Sequence, residues 1–249
     1  MHLAEHVSSH LAEAAAMGVA GPALVGDRHG ERVHGALGKA IADFVLTYRP
    51  SETLAHTPDG VSDEVASTLP VAGRTAVAAL DAIELRAGET VLVGGEAGGV
   101  GVLVVQLARL AGARVIGTAS EGTFGFLRHL GAEPVVHGPG LAERVRTLAP
   151  QGVSAATDLF GVEAAEAALV LGMAPQRIST IAAGPNLPGG VRPTGDAANP
   201  PDALECITDA VVAGTITVPI AARFPIEQIR DAVALQAGRH VHGKVVVTM

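Results

Sequence analysis

Tryptophan is absent from the 249 residues, aromatics make up only 2% of them, and a single cysteine occurs. Each scarcity excludes something. Without aromatic platforms there is little on which to stack single-stranded bases or a flat cofactor ring. Cys206 alone forms no intrachain disulfide and builds no cysteine-rich zinc site. Apolar runs are broken by Gly, Arg or Glu before they reach the ~18 residues of a transmembrane helix, so no membrane role is expected. Basic residues are scattered and the net charge is −8, which leaves no footprint for nucleic acid. The start, Met1-His-Leu-Ala-Glu-His, lacks the basic residues and apolar centre of a secretion signal, so a cytoplasmic location is expected. No Gly-x-Ser-x-Gly elbow occurs, which argues against a hydrolase of that kind.

What is present is apolar residues, 48% of the chain, enough for one sizeable core or two modest ones. The most telling stretch runs from Thr90 to Ala119. Thr90 to Val93 reads as a buried strand, glycines follow, and Val100 to Leu110 has the 3.6-residue apolar spacing of a helix. That order describes a nucleotide-binding βαβ unit, with a dinucleotide pyrophosphate at the helix N-terminus, where free N–H groups and the helix dipole favour an anion. Glu96 complicates it. With G-x-G-x-x-G laid on Glu96, Gly98 and Gly101, a carboxylate holds the first glycine position. Pointing into the turn, it would oppose the phosphates by ~4 kcal/mol for like charges ~4 Å apart at an effective dielectric of 20. Pointing to solvent, it costs little and, as a first-turn acid, stabilises the helix by ~0.3–1 kcal/mol in a site that binds no dinucleotide. Gly95, Gly98 and Gly101 keep three glycines at the wrong spacing, and the residues alone leave both placements open.

Elsewhere the pattern predicts a helix over 3–19, a polar loop at 26–30 and short strands within 32–48. Short helices are expected at 62–67 and 73–81. Strands at 114–118, 134–137, 155–159 and 177–182 alternate with helices at 127–130, 141–148 and 163–171, the signature of a parallel sheet flanked by helices. Residues 184–201 read as a mobile loop. A helix at 203–213, a strand at 215–220, a helix at 226–237 and a strand at 244–248 complete the chain.

Several ordered blocks resemble the medium-chain dehydrogenase/reductases, within them the zinc-free quinone oxidoreductase and enoyl reductase branch. They are Glu31-Arg-Val-His-Gly-Ala-Leu-Gly-Lys39, Ala42-Asp-Phe-Val45, Pro58-Asp-Gly-Val-Ser-Asp63, Leu69-Pro-Val-Ala-Gly-Arg-Thr-Ala76, Ala97-Gly-Gly-Val-Gly101, Gln106-Leu-Ala108, Leu130-Gly-Ala132 and His242-Gly-Lys-Val-Val246. The resemblance implies that Thr75, Ala97, Gly98, Gly99 and Val100 contact the cofactor, NADPH or NADH, and that Gly243 and Lys244 lie near its nicotinamide. Relatives that use NADPH present Ser, Lys and Tyr to the 2′-phosphate. Here Ser120 is kept, while Thr123 and Gly138 take the other two positions, so a cation and a donor are lost. Glu121 offers an acceptor for a ribose 2′-hydroxyl instead. The family also begins with a chaperonin-10-like barrel whose opening strands are expected to be absent here, leaving an open cleft, a partner chain in the gap, or a changed function.

Other residues have a sharp and a bland reading. Tyr48, the sole tyrosine, is a proton-donor candidate or a strand residue with its hydroxyl at the surface. His2, His6 and His10 share a helical face that suits a metal, against the commoner exposed polar face. His240 and His242 alternate on one side of a strand, as ligands or as surface polarity. Asp158 ends a strand at the ligand-binding edge of the sheet, as an acid or as a helix cap.

The expectation is therefore an α/β protein with a doubly wound parallel (Rossmann) sheet over residues 71–225 and a reduced chaperonin-10-like β-rich domain from residues 1–70 completed by 226–249. Its activity would be NAD(P)H-dependent reduction of an electron-poor alkene, quinone or carbonyl, with a small-molecule substrate and a homodimer paired through the edge at 215–220. The competing expectation is no cofactor at all: a lyase, cyclase or binding protein using the old cleft.

Overall fold

The computed structural model describes residues 23–28, 31–36, 54–184, 187–194, 200–238 and 240–248. The expected first helix, Tyr48 and the His2/His6/His10 face lie outside them. The chain divides into two compact units, Thr75–Pro200 and a second formed by Met1–Arg74 with Pro201–Met249.

In chain order, β1 (Ala23–Arg28), β2 (Glu31–Ala36) and β3 (Leu54–His56) form an antiparallel sheet in which Arg28 faces Glu31 and Val33 faces His56. The polar composition of 26–30 suggests loop, yet Gly26, Asp27 and Arg28 are strand, because pairing with β2 fixes backbone that local propensity leaves free. α1 (Asp63–Ala66) is capped by Ser62, whose Oγ accepts from the Val65 amide at 3.3 Å. α2 (Leu69–Asp81) starts four residues before the expected Gly73. Pro70 sits in its first turn, where a missing N–H loses no helical bond.

The nucleotide-type unit follows: β4 (Thr90–Gly94), α3 (Gly101–Leu110), β5 (Arg114–Ala119), α4 (Phe124–Leu130), β6 (Glu133–Val136), α5 (Leu141–Leu148), β7 (Ala155–Asp158), α6 (Glu163–Val170), β8 (Ile178–Thr180) and β9 (Arg192–Pro193). The six strands lie in the order β6-β5-β4-β7-β8-β9 and every pair is parallel. This is the α/β Rossmann-like architecture that the strand–helix alternation implies. The central strands β4, β5, β7 and β8 are buried along nearly all their length, polar Thr157, Asp158, Ser179 and Thr180 included, because helices cover both faces. Leu92, Ile116 and Ile178 are fully buried against Leu141, Val145 and the alanines 164, 165 and 168 of α6. Truncating one of these large side chains costs ~2–5 kcal/mol. α3 carries Val102, Val104 and Val105, poor helix formers, and their complete burial outweighs that propensity.

The stretch 184–201 is not loop throughout, since β9 adds to the sheet edge, with Ser179 opposite Arg192 and the Thr194 amide donating to the Thr180 carbonyl at 2.9 Å. In the other unit α7 (Ala203–Val212) packs on α2 where Gly73 leaves room, since a Cβ there would lie 3.0 Å from Ile207 Cδ1. The expected strand at 215–220 is displaced: β10 runs Ile220–Pro225. The Thr215 and Ile216 amides both donate to the Ala210 carbonyl at the end of α7, and Pro219 has no N–H to give a ladder. The edge proposed for dimer pairing is therefore not a strand. β10 pairs in parallel with β11 (Lys244–Thr248) across α8 (Ile229–Ala237). Arg223 in β10 holds both Glu64 carboxylate oxygens at 2.8 and 2.9 Å.

Candidate active site at the switch in strand order

From β4 the sheet grows through β5 to β6, and the chain then returns to place β7 on the other side of β4. The crevice between the carboxyl ends of β4 and β7 is thus the topological switch point, where open α/β sheets bind ligands. Both sides of it are built by close packing. A Cβ on Gly94 would fall 2.8 Å from Ala164 Cβ, and one on Gly95 2.8 Å from Phe160 Cβ. Asp158 is committed to the β7–α6 connection: Oδ1 accepts from the Phe160 and Gly161 amides at 3.0 and 2.7 Å, and Oδ2 from Ala164 at 2.8 Å. The capping reading of Asp158 describes this geometry.

The structure also decides which glycine makes the turn. Gly95 has φ +76°, a conformation that costs a side-chain-bearing residue ~1–2 kcal/mol, and its carbonyl accepts from the Gly98 amide at 3.1 Å. Gly101 is the point of closest approach, since a Cβ there would lie 2.3 Å from Glu96 Cα. The turn is therefore built on Gly95, Gly98 and Gly101, with Glu96 inside it. Among the described residues, the amides of Gly99, Val100 and Gly101 have no acceptor. They lead into α3, so donors and helix dipole coincide.

Glu96 takes neither of the expected directions. It is fully buried, with its Cγ and Cδ lying against Gly117 of β5, where a Cβ would meet them at 2.8 and 2.9 Å. Among the described residues, neither carboxylate oxygen has a partner of hydrogen-bond geometry. Burial is the main force on its pKa. The nearby Thr118 amide and its own oppose that shift, Asp158 adds to it, and the net result is a carboxyl pushed up to about 8. At neutral pH Glu96 is therefore largely protonated, which largely removes the like-charge cost expected for a turn-facing carboxylate.

Ala97, Gly98, Gly99 and Val100 thus share one turn, half-buried. Ser120 follows β5, the strand next to β4, and its Oγ lies 3.2 Å from Thr123 Oγ1. Thr75 is half-buried in α2. Gly243 and Lys244 belong to the other unit. There Gly243, at φ +96°, is irreplaceable in space, since a Cβ would fall 2.3 Å from the Pro219 carbonyl oxygen. The Lys244 side chain is half-buried by area, yet desolvation alone lowers its pKa to about 8. Among the described residues no group of three or more His, Cys, Asp and Glu comes together, and no helix is long and apolar enough to cross a membrane.

One contact at this edge escapes sequence reasoning. Glu163 Oε1 accepts from the Gly138 amide. The two residues are 25 positions apart, and the only local sign is that Glu163 opens a helix, where acids are common.

The family model for zinc-binding dehydrogenases matches residues 99–187. Erythronolide synthase EryA2 of Saccharopolyspora erythraea is 44% identical over 114 residues, which are 45% of this chain but 3% of that much longer protein. The chain therefore spans a small fraction of that curated relative. Among solved structures, the quinone oxidoreductase of Coxiella burnetii superimposes with a TM-score of 0.71 at 28% identity, covering 88% of this chain and 72% of that one. A mycobacterial protein solved in complex with NADPH gives a TM-score of 0.76 at 26% identity, covering 92% and 81%. With the glycine turn, the parallel sheet and its switch point in place, these likenesses put the chain in the medium-chain dehydrogenase/reductase superfamily, with the fold of the quinone oxidoreductase and enoyl reductase type.

Proposed function

We propose that the chain is an NAD(P)H-dependent oxidoreductase of the quinone and enoyl reductase type, acting on an electron-poor alkene, quinone or carbonyl. The observation that carries this reading is the run of three acceptor-free amides, Gly99, Val100 and Gly101, at the N-terminus of α3 beside the switch crevice. They fit a pyrophosphate: the donors are in place, no side chain stands between them and the crevice at Gly98 or Gly99, and Glu96 is turned inward and largely protonated at neutral pH. Thr75, Ala97, Gly98, Gly99, Val100 and Ser120 hold the dinucleotide in this reading, Gly243 and Lys244 serve its nicotinamide end, and Tyr48 is the candidate proton donor. When bound, the nicotinamide supplies the hydride. The chain's own contribution is binding and orientation, which is where most of the rate enhancement of such a transfer arises.

Residues 1–70 with 226–249 form the reduced chaperonin-10-like domain in this reading, and the working form is a cytoplasmic homodimer acting on a small molecule. Light scattering tests the dimer, with twice the 25.0 kDa chain mass expected. The central test is titration of purified protein with NADPH and with NADH, followed by nicotinamide fluorescence and by calorimetry. Saturable binding of either supports the reading. Absence of binding of both at millimolar concentration overturns it in favour of a cofactor-free lyase, cyclase or binding protein.

A further inference from the structure

In a βαβ dinucleotide unit the adenosine ribose lies at the carboxyl end of the second strand, and the groups found there decide whether a 2′-hydroxyl or a 2′-phosphate is accepted. Here that strand is β5, ending at Ala119. Its neighbour β6 is tied to it at this end, the His137 amide donating to the Ala119 carbonyl at 3.3 Å. The ribose end is therefore bordered by Ser120 and Glu121 on one side and by residues 137–140 on the other.

Two carboxylates border this edge. Glu121 is exposed just past the end of β5. Glu163, at the start of α6, reaches over to take the Gly138 amide, which removes a donor and brings in a carboxylate. Among the described residues, Arg144 is a cation in contact with this loop, and its guanidinium is turned into the loop. Nε donates to the Val136 carbonyl at 2.9 Å, Nη1 to Pro139 at 2.7 Å, and Nη2 to His137 and Gly138 at 3.1 and 2.8 Å. Residues 75–200 contain no lysine. A phosphate of charge near −2 needs donors and a cation, whereas this edge offers a hydroxyl pair and two carboxylates. A ribose 2′-hydroxyl needs an acceptor, and Glu121 and Ser120 supply one.

We propose that Glu163, docked on the Gly138 amide, acts with Glu121 to make this site selective for NADH against NADPH. This rests on the dinucleotide reading above and adds the cofactor's identity to it. The parent protein should bind NADH at least tenfold more tightly than NADPH at low ionic strength, about 1.4 kcal/mol. The gap should narrow at 0.15 M salt, as screening shortens the reach of the carboxylates.

The test is calorimetric titration of both dinucleotides into the parent, Glu163→Gln, Glu121→Gln and, as a control on the same exposed first turn of α6, Glu166→Gln. Glu163→Gln should tighten NADPH at least threefold and leave NADH unchanged. Glu121→Gln should weaken NADH and tighten NADPH, and Glu166→Gln should leave the ratio as it is. Equal binding of the two dinucleotides by the parent, or tighter binding of NADPH, overturns this inference alone. A preference for NADH that Glu163→Gln does not alter overturns the assignment to Glu163. Failure of both dinucleotides to bind overturns the dinucleotide reading and this inference with it.

Discussion

Replacing Glu96 by Gln removes one titrating group from the interior while keeping the side chain's length and shape. In the folded protein the carboxyl titrates at about 8, against 4.5 in its unperturbed state. Between these values the folded chain holds a proton that the unfolded chain has released. The unfolded state then binds fewer protons, and stability falls as pH rises. The contribution is fully present below pH 4.5, is lost progressively through pH 8, and is constant above that. At pH 7 the interval is 2.5 pH units, which corresponds to ~3 kcal/mol at 1.36 kcal/mol per unit, a large share of the 5–15 kcal/mol typical of a domain. Glu96 is fully buried, so solvent screening does not reduce this figure as it would at a surface. Glu96→Gln should match the parent near pH 4.5 and exceed it by ~1.4 kcal/mol for each pH unit up to 8. Urea unfolding of both proteins at pH 5, 6, 7, 8 and 9 measures it. Parallel stability profiles for parent and variant would show that the Glu96 carboxyl is solvated or paired in solution, and the reasoning would fail. The same titration bears on binding: dinucleotide affinity should be insensitive to Glu96→Gln at pH 6.5, and should favour the variant only above pH 8.

Gly101→Ala places a Cβ 2.3 Å from Glu96 Cα and 2.4 Å from the Gly95 carbonyl. Backbone must move, so a loss of ~3 kcal/mol in stability and of dinucleotide binding is expected, read by thermal unfolding and titration. Arg177 bridges Glu89 at 2.6 Å and donates to the Ser154 and Glu84 carbonyls. Arg177→Ala should cost ~2 kcal/mol. Burial raises the Glu89 pKa, but the Arg86 amide and Arg177 outweigh it and the net shift is downward. That contribution is present at neutral pH and lost on acidification, so the variant's acid unfolding should be shallower. For Lys244 the sign is opposite: its folded pKa of about 8 lies below 10.5, so stability rises between those values. Lys244→Met should be the more stable protein by ~1–3 kcal/mol below pH 8, with the difference vanishing toward pH 10.5.

The parallel unit was legible because its signals are local. Each of β5, β6, β7 and β8 lies within two residues of its expected span, and β11 coincides with it. An apolar run bounded by glycines has few ways to satisfy its backbone other than a buried strand. Where the partner of a backbone group is distant, the sequence carries little of it. Residues 215–219 have strand-like composition, but their first two amides are taken by the end of α7. Residues 26–28 have loop-like composition and are recruited by β2.

Glu96 marks the limit of the same logic at the candidate site. Its two expected directions, into the turn or into solvent, both assume that the carboxylate keeps its charge, because pattern reading treats an acid as an anion. A third direction exists only because β5 carries a glycine at position 117, twenty-one residues on, which leaves a space of side-chain depth beneath the turn. Filling that space neutralises the acid, since burial without a partner disfavours the charged form. Neutralisation in turn removes the electrostatic objection to a phosphate at the amides of Gly99 to Gly101. The residue that argued most strongly against a dinucleotide is compatible with one, and the charges proposed to discriminate between dinucleotides lie instead at Glu121 and Glu163.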